Sequence, residues 1–260
     1  MIEMEHYLKT AIEAAEAAGK ILLDYLGKDL KIGYKGEVNL VTEADRKAEE
    51  TIVELLHARY PDHQILVEEG EGVSGPSTWK WVVDPLDGTT NYAHSFPCFS
   101  VSIGLEVECV VRVGVVYDPV RGQLFTAQQG KGAYRNGGRL QVSSVADLSR
   151  SLLVTGFAYD ARESLLNNFD HFFRFSRRCQ GVRRTGSAAL DLCYVASGWF
   201  DGFWELKLSP WDVAAGSLIV HEAGGRVSNF KGEPFSIYMK EIVASNGRIH
   251  QAMLDLLHDE

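Results

Sequence analysis

Three features of the sequence predict a layered mixture of helices and sheets, of the α+β/α/β class. Apolar residues recur at helical spacing near the N-terminus, the middle switches to short apolar runs, and beyond residue 149 strand-like and helix-like segments alternate. In chain order, Leu8, Ile12, Ala15, Leu22 and Leu26 mark an amphipathic helix ending near Gly27. Residues 30–41, punctuated by Gly33 and Gly36, read as a polar hairpin or loop, and a second helix over about 42–59 turns Ala48, Ile52, Leu55 and Leu56 inward. The runs Ile65-Leu66-Val67 and Trp81-Val82-Val83 read as strands, each ending abruptly in carboxylates. Phe99, Val101, Ile103 and Leu105 alternate, as do Val111, Val113 and Val115, and both Gly130-Lys131-Gly132 and Asn136-Gly137-Gly138 read as tight turns. Later strands are expected over 151–155, 202–205 and 242–244, and helices over 165–178, 187–197, 211–223 and 249–257. The aromatic group Trp199, Phe200, Phe203 and Trp204 is assigned to the core.

The chain has 260 residues, with 26 Lys+Arg against 35 Asp+Glu and a net charge of −9. A chain of this length buries roughly three quarters of its unfolded surface, so it needs neither disulfide nor metal merely to fold. The acidic balance argues against a dedicated nucleic-acid binder. Cys98, Cys109, Cys179 and Cys193 lie far apart, which excludes a zinc ribbon or redox dithiol and leaves free thiols. No signal-peptide core and no membrane-spanning run is present, so a cytoplasmic protein without membrane contact is expected. Two halves are expected, 1–145 and 146–260, packed as one unit because no Pro-, Gly- or Ser-rich linker divides them.

The densest chemical signal is Asp84-Pro85-Leu86-Asp87-Gly88-Thr89-Thr90-Asn91. Two carboxylates at a strand end precede a Gly-Thr-Thr step whose N–H groups suit an anion, although an Asx turn with a Thr cap would use the same residues. Glu68-Glu69 follows a strand, while Asp45 and Asp212 occupy the third position after Thr42 and Ser209, the acidic slot of a helix start. Together Glu68, Asp84, Asp87 and Asp212 form a carboxylate cluster if the strand ends meet. Two carboxylates ~4 Å apart repel by about 4 kcal/mol at an effective dielectric near 20, so such a cluster needs counter-charge. With no His or Cys beside these acids in sequence, hard cations such as Mg²⁺, Mn²⁺ or Ca²⁺ suit them, and two divalent ions balance four negative charges. The scattered histidines lack the spacing of a zincin, no serine sits in a Gly-x-Ser-x-Gly elbow, and Arg183-Arg184 reads as solvated or interfacial.

Over essentially its full length the chain resembles the inositol monophosphatase family, Mg²⁺-dependent and lithium-sensitive phosphatases. The resemblance rests on Leu40-Val41-Thr42-x-x-Asp45, Glu68-Glu69, the stretch from Trp81 to Asn91, and Trp211-Asp212-Val213-Ala214-Ala215-Gly216 followed by Glu222-Ala223-Gly224-Gly225. The run Arg184-Thr185-Gly186-Ser187-Ala188-Ala189-Leu190-Asp191 is similar to the bacterial inositol-1-phosphatase branch. The resemblance implies a layered αβαβα sandwich of the sugar-phosphatase type. It also implies one metal on Glu68, Asp84 and the carbonyl of Leu86, and a second on Asp84, Asp87 and Asp212, with Mn²⁺ as a substitute and a third ion optional. Thr89 and Asp45, with Glu68 close by, then position and help deprotonate the attacking water. The N–H groups of Gly88 and Thr89 hold phosphate, and Ala188 and Glu205, with Asp87 and Asp212, meet the polyol.

Two departures stand out. Val67 precedes Glu68 where the family commonly has Gly, and the early loop offers Lys35 as the loose match to the family's basic residue. The implied reaction is hydrolysis of myo-inositol 1-phosphate or a related sugar phosphate by in-line attack of a metal-activated water, in a homodimer. The rival substrates are fructose 1,6-bisphosphate, histidinol phosphate and adenosine 3′,5′-bisphosphate. A rival of another class is a transcription-associated interaction protein with secondary phosphatase activity.

Overall fold

The computed structural model describes residues 4–27, 32–35 and 39–258, with backbone only for 32–35 and 39–42. It stacks five layers. The outermost pair is α1 (Glu5–Tyr25) and α2 (Glu43–Arg59), with the hairpin of β1 (Ile32–Lys35) and β2 (Asn39–Thr42) between them in the chain. They cover one face of a seven-stranded sheet: β3 (Gln64–Val67), β4 (Trp79–Asp87), β5 (Ser100–Val107), β6 (Val110–Asp118), β7 (Gln123–Gln128), β8 (Gly132–Arg135) and β9 (Gly138–Arg139), neighbours in that order. Only the β3–β4 pair is parallel. The middle layer is α5 (Ala188–Ala196) and α6 (Pro210–Glu222). Beyond it lies a five-stranded sheet in the order β11 (Gly181–Arg183), β10 (Leu152–Thr155), β12 (Gly202–Leu206), β14 (Glu241–Ser245), β13 (Arg226–Ser228), covered outside by α4 (Phe169–Ser176) and α7 (His250–His258). The short α3 (Thr89–Ala93) follows β4.

The period-2 geometry of strands sorts the three cores. Trp81 and Val83 pack under α1 and α2, whereas Val82 faces the middle layer. In the second sheet Val154, Phe203 and Ala244 face α5 and α6, while Leu153, Trp204 and Val243 face α4 and α7. This is the layered sandwich that the resemblance implied. Among the described residues no helix is long and apolar enough to cross a membrane.

Two glycines fix the seat of α6. Gly104 and Gly114 are register partners on β5 and β6. A methyl on Gly104 would stand 2.9 Å from Ala214 Cβ, and one on Gly114 would stand 2.8 Å from the Ala215 carbonyl. The bare strands thus form a trough into which the small-residue stripe of α6 settles, and this close approach places Asp212, in the first turn of α6, over the end of β4.

The expected elements differ from the observed ones in places. β4 does not stop at Val83 but runs to Asp87, with a register shift between Asp84 and Asp87 that leaves Pro85 and Leu86 unpaired. The fourth helix begins at Phe169 rather than 165, because the preceding residues form a loop pinned by Asn168. Of the aromatic group, Phe203 and Trp204 are fully buried, but Trp199 is 47% exposed. It lies in the turn after α5, outside the strand alternation, with the Arg135 guanidinium over its ring at 4.7 Å.

The trough yields a paired prediction. Gly114→Ala should destabilise the fold by about 1–3 kcal/mol, because the obstructing atoms are backbone, and thermal unfolding should show a Tm several degrees lower. Gly75→Ala, where nothing lies within 4 Å, should change stability by less than about 0.5 kcal/mol.

Candidate active site

The ends of β3, β4 and β12, the start of α3 and the N-termini of α5 and α6 surround a cavity of ≈ 420 Å³. Its walls include Glu68, Asp84, Leu86, Asp87, Gly88, Thr89, Ala188, Glu205 and Asp212, all expected from sequence. Asp45 does not line it, since it is fully buried on the inner face of α2, yet its charge reaches Asp84. Lys35 lies on β1, and its side chain is outside the described residues. Of the two arginines, Arg184 lines the cavity and Arg183 does not.

Each acid is held by the chain. Asp84 Oδ1 accepts the Leu86 N–H at 3.0 Å, the tight turn that the Asp-Pro-Leu step allows. Thr89 Oγ1 donates to the Leu86 carbonyl at 3.1 Å, so hydroxyl and carbonyl face each other. Asp87 Oδ2 accepts from Ser187 Oγ at 2.5 Å and from the Ala189 N–H at 2.8 Å, and Oδ1 accepts from the Ala188 N–H at 3.2 Å. The carboxylate thereby caps α5, a favourable place for negative charge. Asp212 Oδ2 accepts the Ser209 N–H at 2.6 Å, closing the N-terminus of α6. The Asx turn at Asp84 and the capping reading at Asp212 therefore hold alongside the cavity position, whereas α3 is capped by Gly88 rather than by the Thr89 side chain.

Gly88 has φ +99, and a Cβ there would meet the carbonyls of Cys98 and Gly186 at 3.0 and 3.2 Å, so only glycine fits between β4 and α3. Val67 closes β3 in register with Val83, and Glu68 follows directly into the cavity, so the departure from glycine leaves the acid in place.

Electrostatics follow from burial. Desolvation, then the charges of Glu68, Asp87, Asp212 and Asp45, push the Asp84 carboxyl well above the usual carboxylate range. Burial raises Asp87 to about 6 against the pull of its Ser187, Ala189, Ala188 and Ser100 donors. Asp212 is raised to about 7 by burial, opposed by the Ser209 N–H and helped by the charge of Asp87. Glu205 is also pushed well up by burial, with Asp191, Asp212 and Asp87 adding to it and Arg184 opposing. Negative charge is packed here beyond what the chain's own donors neutralise.

The residues fit a hard divalent cation. Every polar side chain converging from β3, β4 and α6 offers oxygen, and no His or Cys lines the cavity. Among the described residues no three His, Cys, Asp or Glu side chains already form a finished ion cage. Asp84, Asp87 and Asp212 instead lean on the donors named above, as repelling carboxylates do.

Several residues have supporting roles that the sequence did not assign. Glu49, buried on α2 one turn after Asp45, accepts the Glu69 N–H at 2.8 Å and steadies the turn that carries Glu68. Asn91 Nδ2 donates to the carbonyls of Cys98 (2.7 Å) and Thr185 (2.8 Å), tying α3 to the turn before α5. Asp191, buried on α5, accepts from Thr185 Oγ1 at 2.5 Å. Acids on the inner stripe of a helix were the legible signal for Glu49. Asn91 and Ser187 stand in the quoted motifs, but their partners Thr185 and Asp87 lie about a hundred residues away, so spacing did not assign them a role.

The model of the inositol monophosphatase family matches residues 3–260. An inositol-1-monophosphatase from Synechocystis sp. is 48% identical over 257 residues, 98% of this chain and 90% of that protein. The Nus factor SuhB of Escherichia coli K12 is 43% identical over 260 residues, 99% of this chain and 97% of that protein. The solved inositol monophosphatase of Anabaena (Nostoc) sp. PCC 7120 superposes with a TM-score of 0.90 at 45% identity, covering 98% of this chain and 96% of that one.

Asn91→Ala leaves two partly buried carbonyls without donors. It should cost about 2–3 kcal/mol, seen as a fall in Tm of several degrees, and should lower turnover through the loosened α3.

Proposed function

Because the chain belongs to the inositol monophosphatase family, we propose that it is a Mg²⁺-dependent phosphomonoesterase releasing inorganic phosphate from myo-inositol 1-phosphate and related polyol or sugar phosphates. The convergence of Glu68, Asp84, the Leu86 carbonyl, Asp87 and Asp212, all oxygen donors, on one cavity carries this reading. Glu68, Asp84 and the Leu86 carbonyl would hold one ion, and Asp84, Asp87 and Asp212 a second; Mn²⁺ suits the same donors. When bound, the cations supply the positive charge that an acidic protein otherwise lacks and draw electrons from the phosphoryl group.

The chain's own groups then have distinct tasks. The Gly88 and Thr89 N–H groups hold phosphate oxygens. Thr89 Oγ1, beside Glu68, orients the attacking water and takes up its proton, and Asp45, buried behind the cavity wall, assists through its charge. Glu205 and the backbone at Ala188, with Asp87 and Asp212, bind polyol hydroxyls. The buried wall of Glu205 favours a hydroxyl-rich alcohol, because an apolar one would leave its carboxyl without a partner. The same reading includes inhibition by Li⁺, a homodimer in solution, a cytoplasmic location and two halves meeting near residue 145.

A second reading is favoured by the 43% identity to a protein named a Nus factor: the chain also joins a transcription complex, with phosphatase activity secondary. Pull-down from cell extract with wild type and Asp84→Asn separates the two. Capture of transcription proteins by both forms supports this reading, and no capture by either removes it.

Phosphate release from myo-inositol 1-phosphate should require Mg²⁺ and stop with EDTA. Asp84→Asn and Asp212→Asn should lose metal and activity together, activity by about 10²-fold or more, whereas Thr89→Ala should cut kcat by about 10²-fold with little change in Mg²⁺ affinity. Wild-type turnover in Asp84→Asn overturns the scheme. Comparison of kcat/KM with fructose 1,6-bisphosphate, histidinol phosphate and adenosine 3′,5′-bisphosphate should favour the inositol ester.

A further inference from the structure

Residues 156–168 form a closed strap between β10 and α4 at the mouth of the cavity. Its two ends are pinned together by Asn168, which is buried. Its Nδ2 donates to Thr155 Oγ1 and to the Gly156 carbonyl, both at 2.7 Å, and its Oδ1 accepts from Trp204 Nε1 at 2.8 Å. The far part of the strap is held from the residue that follows β12. Lys207 Nζ donates to Asp160 Oδ2 at 2.7 Å and to Ser164 Oγ at 2.6 Å. Lys207 itself has φ +62, a left-handed backbone unusual for a side chain of this kind, and it lines the cavity. Strain of this type persists where surrounding structure enforces it, and it gathers at functional sites.

The strap carries one large side chain with a polar tip into the mouth. Tyr159 lines the cavity and is 49% exposed overall. Desolvation, with the charges of Glu68, Asp87 and Asp84, raises the phenol above its ordinary value, while the Thr90 hydroxyl pulls it back. Tyr159 thus stands in the cavity wall together with Thr90 of α3.

Resting on the phosphatase reading above, we propose that Tyr159, held in place by the Lys207 latch, is a specificity-determining wall for the alcohol part of the substrate. It admits a ring of polyol size beside Glu205 and turns away a bulkier alcohol such as a nucleoside. The ring face packs against the alcohol while its position limits how far the leaving group extends outward.

Steady-state kinetics with myo-inositol 1-phosphate and a purine nucleoside 5′-monophosphate test this in wild type, Tyr159→Ala, Tyr159→Phe and Lys207→Met. Tyr159→Ala should raise KM for the inositol ester about tenfold with kcat within about threefold, and shift the kcat/KM ratio toward the nucleotide by about tenfold or more. Lys207→Met should shift the ratio the same way by less. Tyr159→Phe should keep it within about threefold, because the ring remains. An unmoved ratio in Tyr159→Ala, or an equal fall of kcat on both esters, overturns the proposal. A wild type preferring some other ester overturns the substrate named above and leaves this inference to the ratio; a wild type hydrolysing no ester overturns both.

Discussion

Repulsion among carboxylates governs this molecule. Asp84 is 1% exposed and lies within electrostatic reach of four other acids, an arrangement that water alone would never favour. The fold tolerates it because most of these acids accept from rigidly placed N–H or hydroxyl donors: a turn of β4 for Asp84, the start of α5 for Asp87 and the start of α6 for Asp212. The acids are held near one another by the architecture rather than by mutual attraction. Such a constellation is poised to take up positive charge, and a phosphatase of this family has a use for it.

The architecture achieves this by bringing distant chain segments to common ends. β3 and β4 run parallel, so Glu68 and Asp84 emerge on the same side of the first sheet. The glycine trough seats α6 close enough for its first turn to complete the wall. The Asn91 side-chain amide then ties α3 to the turn before α5 by donating to two main-chain carbonyls, so the two sides of the cavity are linked through one partly buried contact.

Much of this was legible in the sequence, for identifiable reasons. The stripes of α1 and α2, the Ser209-Pro210 start of α6 and the hairpin turn at Asn136-Gly137 are local signals, and the structure follows them. The acids of the cavity were legible because they follow strands or open helices. Local signals said less where tertiary contacts decide. β11 and β13 are three-residue strands that exist only as edges of the second sheet. Trp199 reads as core by composition, but the turn after α5 carries it outward. Asp45 reads as a cavity residue, yet α2 keeps it behind the wall. The supports from Glu49, Asn91 and Ser187 depend on which segments meet, which spacing along the chain does not encode.

The central position of α6 also bears on how the chain is made. The first sheet is complete at Arg139, but the cover of its inner face, begun by α5 at Ala188, is completed only by α6 from Pro210, about seventy residues later. At a synthesis rate of ~5–20 residues per second, that apolar surface emerges from the ribosome and waits roughly 4–14 s for its cover. The nascent chain thus passes through an interval in which Val82, Val116 and Phe125 are bare. Chaperone demand during translation should be concentrated in that interval rather than spread along the message.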